Sequence, residues 1–275
     1  MSETMMAERG TAAIAEAFRR RREAGEKVLS TYIVAGDPDL GTTEKIIRSL
    51  SGIDVDLIEL GMPFSDPLAD GAVVQRAAQR SLRQGTNLKK VLHSVQELRL
   101  MIDTPIVIMT YYNLFLSYGL EQFAEDAARA GIDGLIIPDL PAEEAEDFLH
   151  VLDRYKLALV PLIAPTSSDD RIKMICAIAR GFIYYVSRTG VTGMQKDIAD
   201  DLYENLMRVR KYTDLPIAVG FGVSTPEQAR KIAHHADGVV IGSAIVRVIE
   251  ETQHMHDRVV AKFVKPIIDM LHTRY

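Results

Sequence analysis

The sequence predicts an α/β fold on a parallel sheet, because short apolar runs alternate with longer amphipathic segments along its 275 residues. The runs are rich in Val and Ile and are apolar at successive positions, which is typical of strands buried on both faces. Eight runs are present: Val28–Ala35, Asp56–Leu60, Ile106–Met109, Gly134–Ile137, Leu157–Ile163, Phe182–Val186, Ile217–Val219 and Gly238–Ile241. Eight strand–helix repeats joined by right-handed crossovers close into a (β/α)8 TIM barrel.

The segments between these runs carry helix signals. Ser224-Thr225-Pro226-Glu227 offers an N-cap, a proline in the first turn and a capping-box glutamate. Ala130-Gly131 and Arg180-Gly181 place a glycine just past the last turn of a helix. Before the first strand, Ile14 and Phe18 lie one turn apart and predict an extra N-terminal helix, which would cover the bottom of the barrel.

A single domain spanning residues 1–275 is the simplest prediction, because no Pro-, Gly- or Ser-rich linker and no shift in composition divides the chain. A doubly wound open sheet is the structural alternative. Such a sheet normally has a glycine-rich turn after its first strand, and Ala35-Gly36-Asp37-Pro38 lacks the G-x-G-x-x-G spacing.

Composition argues against several classes of function. The net charge of −6 gives no reason to expect nucleic acid as a partner. No segment approaches the ~18 uninterrupted apolar residues of a membrane span, and the first residues do not resemble a signal peptide. Cys176 is the single cysteine and lies in an apolar helical pattern, so no internal disulfide is possible. We therefore expect a soluble cytoplasmic protein.

Glycine-rich segments follow the sixth, seventh and eighth predicted strands, at the barrel end where active sites lie. They are Ser187–Gly193, Gly220–Ser224 and Gly242–Ala244. Their backbone N–H groups would approach an anion closely, and a helix beginning after Gly242 would attract negative charge. The sequence therefore predicts a phosphate site at this rim, with tight turns as the alternative reason for the glycines.

The sequence offers little for metal or Schiff-base chemistry. No lysine sits at a predicted strand end, and the seven histidines all fall in helical patterns. Asp37, Asp66, Asp70 and Asp139 are carboxylates that would suit Mg²⁺, but they lack a supporting ligand pattern. No metal is therefore expected, and acid–base catalysis by carboxylates is the predicted chemistry.

Glu59 ends the second apolar run, and Asp70 follows eleven residues later on a loop rich in proline and glycine. A desolvated glutamate has its neutral form favoured, so it can both give and take a proton near neutral pH. Asp70, on a loop, would stay ionised and accept a hydrogen bond from a substrate N–H. Pairing of Glu59 with a neighbouring cation, or capping of a loop by its side chain, is the alternative.

These residues carry a family resemblance. "LIELGMPFSDPLADG", "YYVSRTGVTG", "AVGFGVSTPEQ" and "DGVVIGSAIV" closely resemble the α subunit of tryptophan synthase, and the match runs nearly end to end. The resemblance implies cleavage of indole-3-glycerol phosphate to indole and glyceraldehyde 3-phosphate. It also implies an α₂β₂ complex with a β subunit that contains pyridoxal phosphate, and no cofactor in this chain.

The resemblance also implies roles for individual residues. Glu59, Asp70 and Tyr184 match catalytic positions, although Tyr184 has barrel packing as its alternative role. Tyr32 takes the place of an aromatic residue that commonly faces the substrate. Further positions match phosphate-binding glycines, a lid threonine and contacts to the β subunit: Gly193, Gly222, Gly242, Ser243, Thr192, Asp66 and Pro67.

Two positions depart from the family pattern. Leu114 and Ala72 stand where the family often has proline, which leaves details of loop rigidity and partner contact open. Three functional alternatives also remain at this point. They are a stand-alone lyase that releases indole, a non-catalytic subunit that activates a partner, and another phosphate-binding barrel such as a sugar-phosphate isomerase.

Overall fold

The computed structural model describes residues 9–67, 69–187, 197–220 and 222–275, with the backbone only for residues 197–200. The strands are β1 Val28–Val34, β2 Leu57–Gly61, β3 Ile106–Met109, β4 Gly134–Ile136, β5 Ala158–Leu159, β6 Leu162–Ile163, β7 Ile183–Val186, β8 Ile217–Gly220 and β9 Gly238–Ile241. The α-helices are α1 Thr11–Ala24, α2 Leu40–Gly52, α3 Ala72–Arg83, α4 Leu88–Leu98, α5 Tyr112–Tyr118, α6 Leu120–Ala130, α7 Glu146–Arg154, α8 Asp169–Ile178, α9 Asp197–Arg210, α10 Pro226–Ala233, α11 Ser243–Glu251 and α12 His256–Leu271. A short 3₁₀ helix, Ala142–Glu144, precedes α7.

The strands form one parallel sheet with the order β5-β4-β3-β2-β1-β9-β8-β7-β6. The predicted fifth strand is divided into β5 and β6 around Val160 and Pro161. Proline has no N–H to donate to a ladder, which accounts for the interruption. The Val160 N–H still bonds to Leu135 O at 2.8 Å, and Pro161 O accepts from the Tyr184 N–H at 3.1 Å. The two edges of the sheet therefore meet within one chain segment and close the predicted barrel.

The barrel interior is a closed apolar cluster. It contains Ile14, Phe18, Val28, Leu57, Val107, Ile136, Ala158, Val160, Phe182, Tyr184, Ala218 and Val240. Ile14 and Phe18 come from α1, and the rings of Phe18 and Phe182 lie 5.4 Å apart. The predicted N-terminal helix therefore closes the bottom of the barrel, and the top remains for a site.

Strand periodicity decides which side chains face this interior. Val28 points inward, so Ser30 and Tyr32 lie on the same face of β1. Leu57 points inward on β2, so Glu59 does as well. Because Tyr32 is paired with Glu59 in the register of β1 and β2, the two side chains lie in the same layer near the top.

The N-terminal cap of α10 differs from the prediction by one residue. Thr225, rather than Ser224, caps the helix by accepting a bond from the Gln228 N–H at 3.3 Å, and Gln228 supplies the reciprocal capping-box bond. Glu227 is therefore not the capping-box residue, although Pro226 does lie in the first turn, as predicted.

Candidate active site

Glu59 is buried in the upper layer of the barrel, with 0% of its surface exposed. Its Oε1 accepts a hydrogen bond from the Ser30 hydroxyl at 2.7 Å. Its Oε2 has no hydrogen-bond partner among the described residues. Burial raises the pKa of Glu59 to about 8, and the bond from Ser30 opposes this rise. The described part of the chain supplies no cation to pair with Glu59, which contradicts the ion-pair alternative.

Two tyrosines flank Glu59 from other positions on the barrel wall. Tyr184 on β7 is 6% exposed, and Tyr32 on β1 is largely buried. Burial is the main cause that raises the pKa of each phenol well above its usual value, and the nearby Glu59 charge adds to it. Both tyrosines are therefore neutral hydrogen-bonding groups beside Glu59.

Glycines at the strand ends make room for these tyrosines. A Cβ at Gly61 on β2 would lie 2.2 Å from the Tyr32 hydroxyl oxygen. A Cβ at Gly220 on β8 would lie 2.4 Å from the Tyr184 hydroxyl oxygen. Any side chain at either glycine would force the neighbouring phenol to move.

Asp70 lies on the loop after β2 and is partly buried. Burial raises its pKa, while a hydrogen bond from the Tyr111 hydroxyl lowers it. The same hydroxyl accepts a bond from the Ala69 N–H at 2.8 Å, and the Tyr111 ring stacks on Phe64 at 5.1 Å. Gln75 in turn donates to the Asp70 carbonyl oxygen at 2.9 Å. These contacts hold the second carboxylate above the barrel.

In the described part of the glycine-rich rim, a helix begins directly after Gly242, as the sequence predicts. The helix α11 begins at Ser243, and no described side chain caps its first turn, so its first N–H groups are left for an anion. A Cβ at Gly242 would lie 3.1 Å from the Tyr32 Cβ, which places this helix start beside the barrel tyrosine. Gly222 adopts a φ of +81°, a conformation that favours glycine. Thr192 and Gly193 lie outside the described residues.

The two predicted partner contacts lie on the loop between β2 and Asp70. Asp66 is exposed and accepts a bond from the Ser65 hydroxyl at 2.5 Å. Pro67 is partly exposed, and its carbonyl oxygen accepts a bond from Gln75 at 3.4 Å. Both residues are therefore accessible to a partner on the same loop as Asp70.

The described residues include no cluster of three or more His, Cys, Asp or Glu arranged to hold a metal ion. The structure adds two residues to the site that the motifs left without a role. Tyr111 follows β3 closely in the sequence and belongs to none of the motifs. Ser30 was missed, although a hydroxyl two positions before Tyr32 in an apolar strand was a usable signal.

A closed barrel with a buried, protonatable glutamate at its upper rim defines a (β/α)8-barrel enzyme that works by acid–base chemistry. Comparison with known proteins identifies the family. The family model for the tryptophan synthase alpha chain matches residues 18–271. The chain is 49% identical over 240 residues to the tryptophan synthase alpha chain of Geobacter sp. (strain M21), an alignment that covers 87% of this chain and 90% of the relative.

Solved structures agree with this match. Tryptophan synthase subunit alpha from Legionella pneumophila str. Paris superposes with a TM-score of 0.87 at 34% identity, covering 94% of this chain and 98% of that one. A chain of tryptophan synthase from M. tuberculosis, crystallised in an open form with BRD0059 bound, gives 0.86 at 31% identity, with 94% and 98% covered.

The chain therefore belongs to the tryptophan synthase alpha chain family. The resemblance and the TIM barrel predicted from sequence are confirmed, and the enzyme class is that of a lyase in tryptophan biosynthesis. A stand-alone indole-releasing lyase and a non-catalytic activating subunit are not favoured. Within the described residues, the helices lack the combination of length and apolar character needed to cross a membrane.

Proposed function

We propose that Glu59 transfers the proton that breaks the carbon–carbon bond of indole-3-glycerol phosphate, releasing indole and glyceraldehyde 3-phosphate. The observation that carries the proposal is the burial of this carboxyl group together with its pKa of about 8. A group with that pKa is mostly protonated at neutral pH, yet it accepts a proton again once it has lost one. This reaction needs a group that both donates a proton and accepts one.

The steps balance with one carboxyl group. Neutral Glu59 gives its proton to C3 of the indole ring, which converts the ring to an indoleninium cation. The carboxylate that results takes the proton of the hydroxyl on the carbon bonded to C3. The electrons of the C3–carbon bond then return to the ring, indole leaves neutral, and the hydroxyl carbon becomes the aldehyde. Glu59 ends the cycle protonated, as it began.

The other predicted residues support this chemistry in distinct ways. Asp70 accepts a hydrogen bond from the indole N–H, which stabilises the positive charge that develops on the ring. Tyr32 on β1 and Tyr184 on β7 face the substrate as neutral phenols. Gly222, Gly242 and Ser243 bind the phosphate through backbone N–H groups. Gly193 and Thr192 lie outside the described residues, and their proposed roles in phosphate binding and in the lid rest on the family resemblance alone.

Replacement of Glu59 by Gln tests the proposal, because the amide keeps the size of the side chain and cannot shuttle a proton. We expect the rate of indole release from indole-3-glycerol phosphate to fall by roughly 10²-fold or more. A matched control is Glu204→Gln on the exposed face of α9, which should leave turnover unchanged. Near-normal turnover of the Glu59 variant would refute its role.

We also propose a β-subunit partner and an α₂β₂ assembly. Structures in this family include tryptophan synthase complexes, which supports a partner for this chain. Asp66 and Pro67 are exposed to different degrees on the loop that carries Asp70, so contact there would act directly on the site.

Pyridoxal phosphate belongs to the β subunit, and this chain would need no cofactor because two carboxylates supply its chemistry. We place the protein in the cytoplasm and treat residues 1–275 as one domain.

The assembly has its own test. Light scattering of the purified chain mixed with a β subunit should give the mass of a heterotetramer, and indole release should rise on mixing. Substitution of Asp66 by Lys should weaken that rise more than it weakens turnover of the isolated chain. Separate elution of the two proteins, with no change in rate, would contradict the assembly.

A further inference from the structure

Glu59 has one protein partner for its carboxyl group in the described structure, the hydroxyl of Ser30. Both side chains face the barrel interior, and both residues are at most 1% exposed. Ser30 is paired with Leu57 in the strand register, so it lies one layer below Glu59 and approaches it from inside the barrel. The 2.7 Å contact is made to Oε1, while Oε2 has no described partner.

The direction of this hydrogen bond decides where the proton of neutral Glu59 lies. A serine hydroxyl has one proton, and within the described residues Glu59 is the side chain to which Ser30 gives it. An oxygen that accepts this bond acts as the carbonyl oxygen of the neutral acid. The acid proton is then carried by Oε2, the oxygen that has no described partner in the protein.

We propose that Ser30 is a positioning residue that directs the transferable proton of Glu59 to Oε2. The inference rests on the proposed role of Glu59 in proton transfer. Its consequence for the reaction is specific. When Glu59 has given its proton to the indole ring, the buried carboxylate keeps the bond from Ser30, and this bond strengthens because its acceptor is now charged. The hydrogen bond from Ser30 therefore stabilises the Glu59 side chain more after proton transfer than before it.

Other ionisable groups around Glu59 do not supply this donor. Tyr32 on β1 and Tyr184 on β7 face Glu59, but they are neutral phenols whose pKa the Glu59 charge raises, and neither is a hydrogen-bond partner of its carboxyl group in the described structure. Asp70, on the loop after β2, acts on Tyr32, and Tyr111 after β3 bonds to Asp70. Among the described residues, no charged group pairs with Glu59 and could take the place of the hydrogen bond from Ser30.

The test uses Ser30→Ala in the full chain, with Thr31→Val as the matched control. Thr31 is the next residue of β1, is fully buried and has a hydroxyl without a described partner, so its removal deletes a buried hydroxyl that does not touch Glu59. We expect Ser30→Ala to lower kcat about tenfold with little change in KM. We expect the alkaline limb of the pH profile to move up by about one unit. Ser30→Thr, which keeps a hydroxyl, should restore both.

Infrared spectroscopy tests the hydrogen bond independently of turnover. The carbonyl band of protonated Glu59 is identified by its loss in Glu59→Gln. In Ser30→Ala this band should shift to higher frequency, because the carbonyl no longer accepts a bond, and in Thr31→Val it should stay in place. Ser30→Cys, a weaker donor of similar shape, should give an intermediate shift and provides the measurement if the alanine variant does not fold.

The outcomes separate the two proposals. Full activity of Glu59→Gln overturns the proposed function, and the infrared band then still reports whether Ser30 donates to Glu59. Loss of activity in Glu59→Gln, with an unmoved band and pH profile in Ser30→Ala, overturns the positioning role alone. Equal losses in Ser30→Ala and Thr31→Val overturn it as well.

Discussion

Arg80 on α3 forms a two-point ion pair with Asp37 after β1, with nitrogen–oxygen distances of 2.8 and 2.9 Å. Asp37 is only 1% exposed, so its carboxylate depends on this partner. A third nitrogen of Arg80 reaches Glu250 on α11 at 2.7 Å. One guanidinium therefore joins the end of β1, the helix that follows Asp70, and the helix that begins at Ser243 with the proposed phosphate site.

Replacement of Arg80 by Met should destabilise the fold, because it leaves the buried Asp37 carboxylate without its cation. We expect a loss of about 2 kcal/mol in the free energy of unfolding, less than for a fully buried pair because Arg80 is 30% exposed. Urea denaturation measures this loss. Arg76→Met is the control: among the described residues Arg76 pairs with Glu250 alone, it is 51% exposed, and its loss should cost under about 1 kcal/mol. Equal losses of unfolding free energy in the two variants would show that the burial of Asp37 does not determine the cost of removing its cation.

The raised pKa of Glu59 should also make stability depend on pH. The folded state holds the proton up to about pH 8, whereas the unfolded chain releases it near 4.5. Between these values the folded state binds more protons, so the contribution of Glu59 to stability is full below pH 4.5 and is lost as pH rises through 8. The loss is about 1.4 kcal/mol per pH unit within that window.

Glu59→Gln removes this dependence, because its amide does not titrate. Urea denaturation at pH 5.5 and at pH 8 should therefore show the variant gaining stability relative to the parent as pH rises. Glu204→Gln, on an exposed helix face, should show no such gain. A difference between parent and Glu59→Gln that stays constant over this range would mean that the carboxyl group is not desolvated.

The strands and the start of α11 were predictable because their signals are local. Continuous apolar runs specify strands buried on both faces, and Gly242 marks the residue before the helix that begins at Ser243. The division of the fifth strand had a local signal as well, in Pro161. The capping prediction at α10 failed by one residue, because Ser, Thr, Glu and Gln all occur in that stretch and each can take part in a cap.

The partners of the buried polar groups were not predictable in the same way. Asp37 and Arg80 are 43 residues apart, and Ser30 and Glu59 are 29 apart. Such pairs are set by strand register and by how α3 packs on the barrel, so no spacing rule reveals them. The sequence indicated that Glu59 is desolvated, whereas the oxygen that Ser30 engages required the structure.

The fit between Gly61 and Tyr32 leads to a prediction about the barrel wall. An alanine Cβ at position 61 would lie 2.2 Å from the Tyr32 hydroxyl oxygen and 2.5 Å from Cζ, so the phenol must rotate away. We expect Gly61→Ala to lower kcat/KM for indole release about tenfold or more, at a cost of roughly 1–3 kcal/mol in stability. Gly52→Ala at the end of α2, where the described structure leaves the added Cβ free of contacts, should leave both unchanged. Normal kinetics for Gly61→Ala would show that the position of Tyr32 does not matter to the reaction.

Tyr111 offers a test of how Asp70 is held. Tyr111→Phe keeps the ring that stacks on Phe64 and removes the hydroxyl that bonds to Asp70 and to the Ala69 N–H. Loss of the donated bond should raise the pKa of Asp70 further, so the acid limb of the pH profile for kcat/KM should move to higher pH. At neutral pH we expect about a tenfold loss of kcat/KM, because the loop after β2 is also less well fixed. Tyr112→Phe is the control, since its ring packs on Phe148 away from Asp70, and it should leave the acid limb in place. An unmoved acid limb in Tyr111→Phe would mean that Asp70 does not titrate in the active range, or that its carboxylate is not needed.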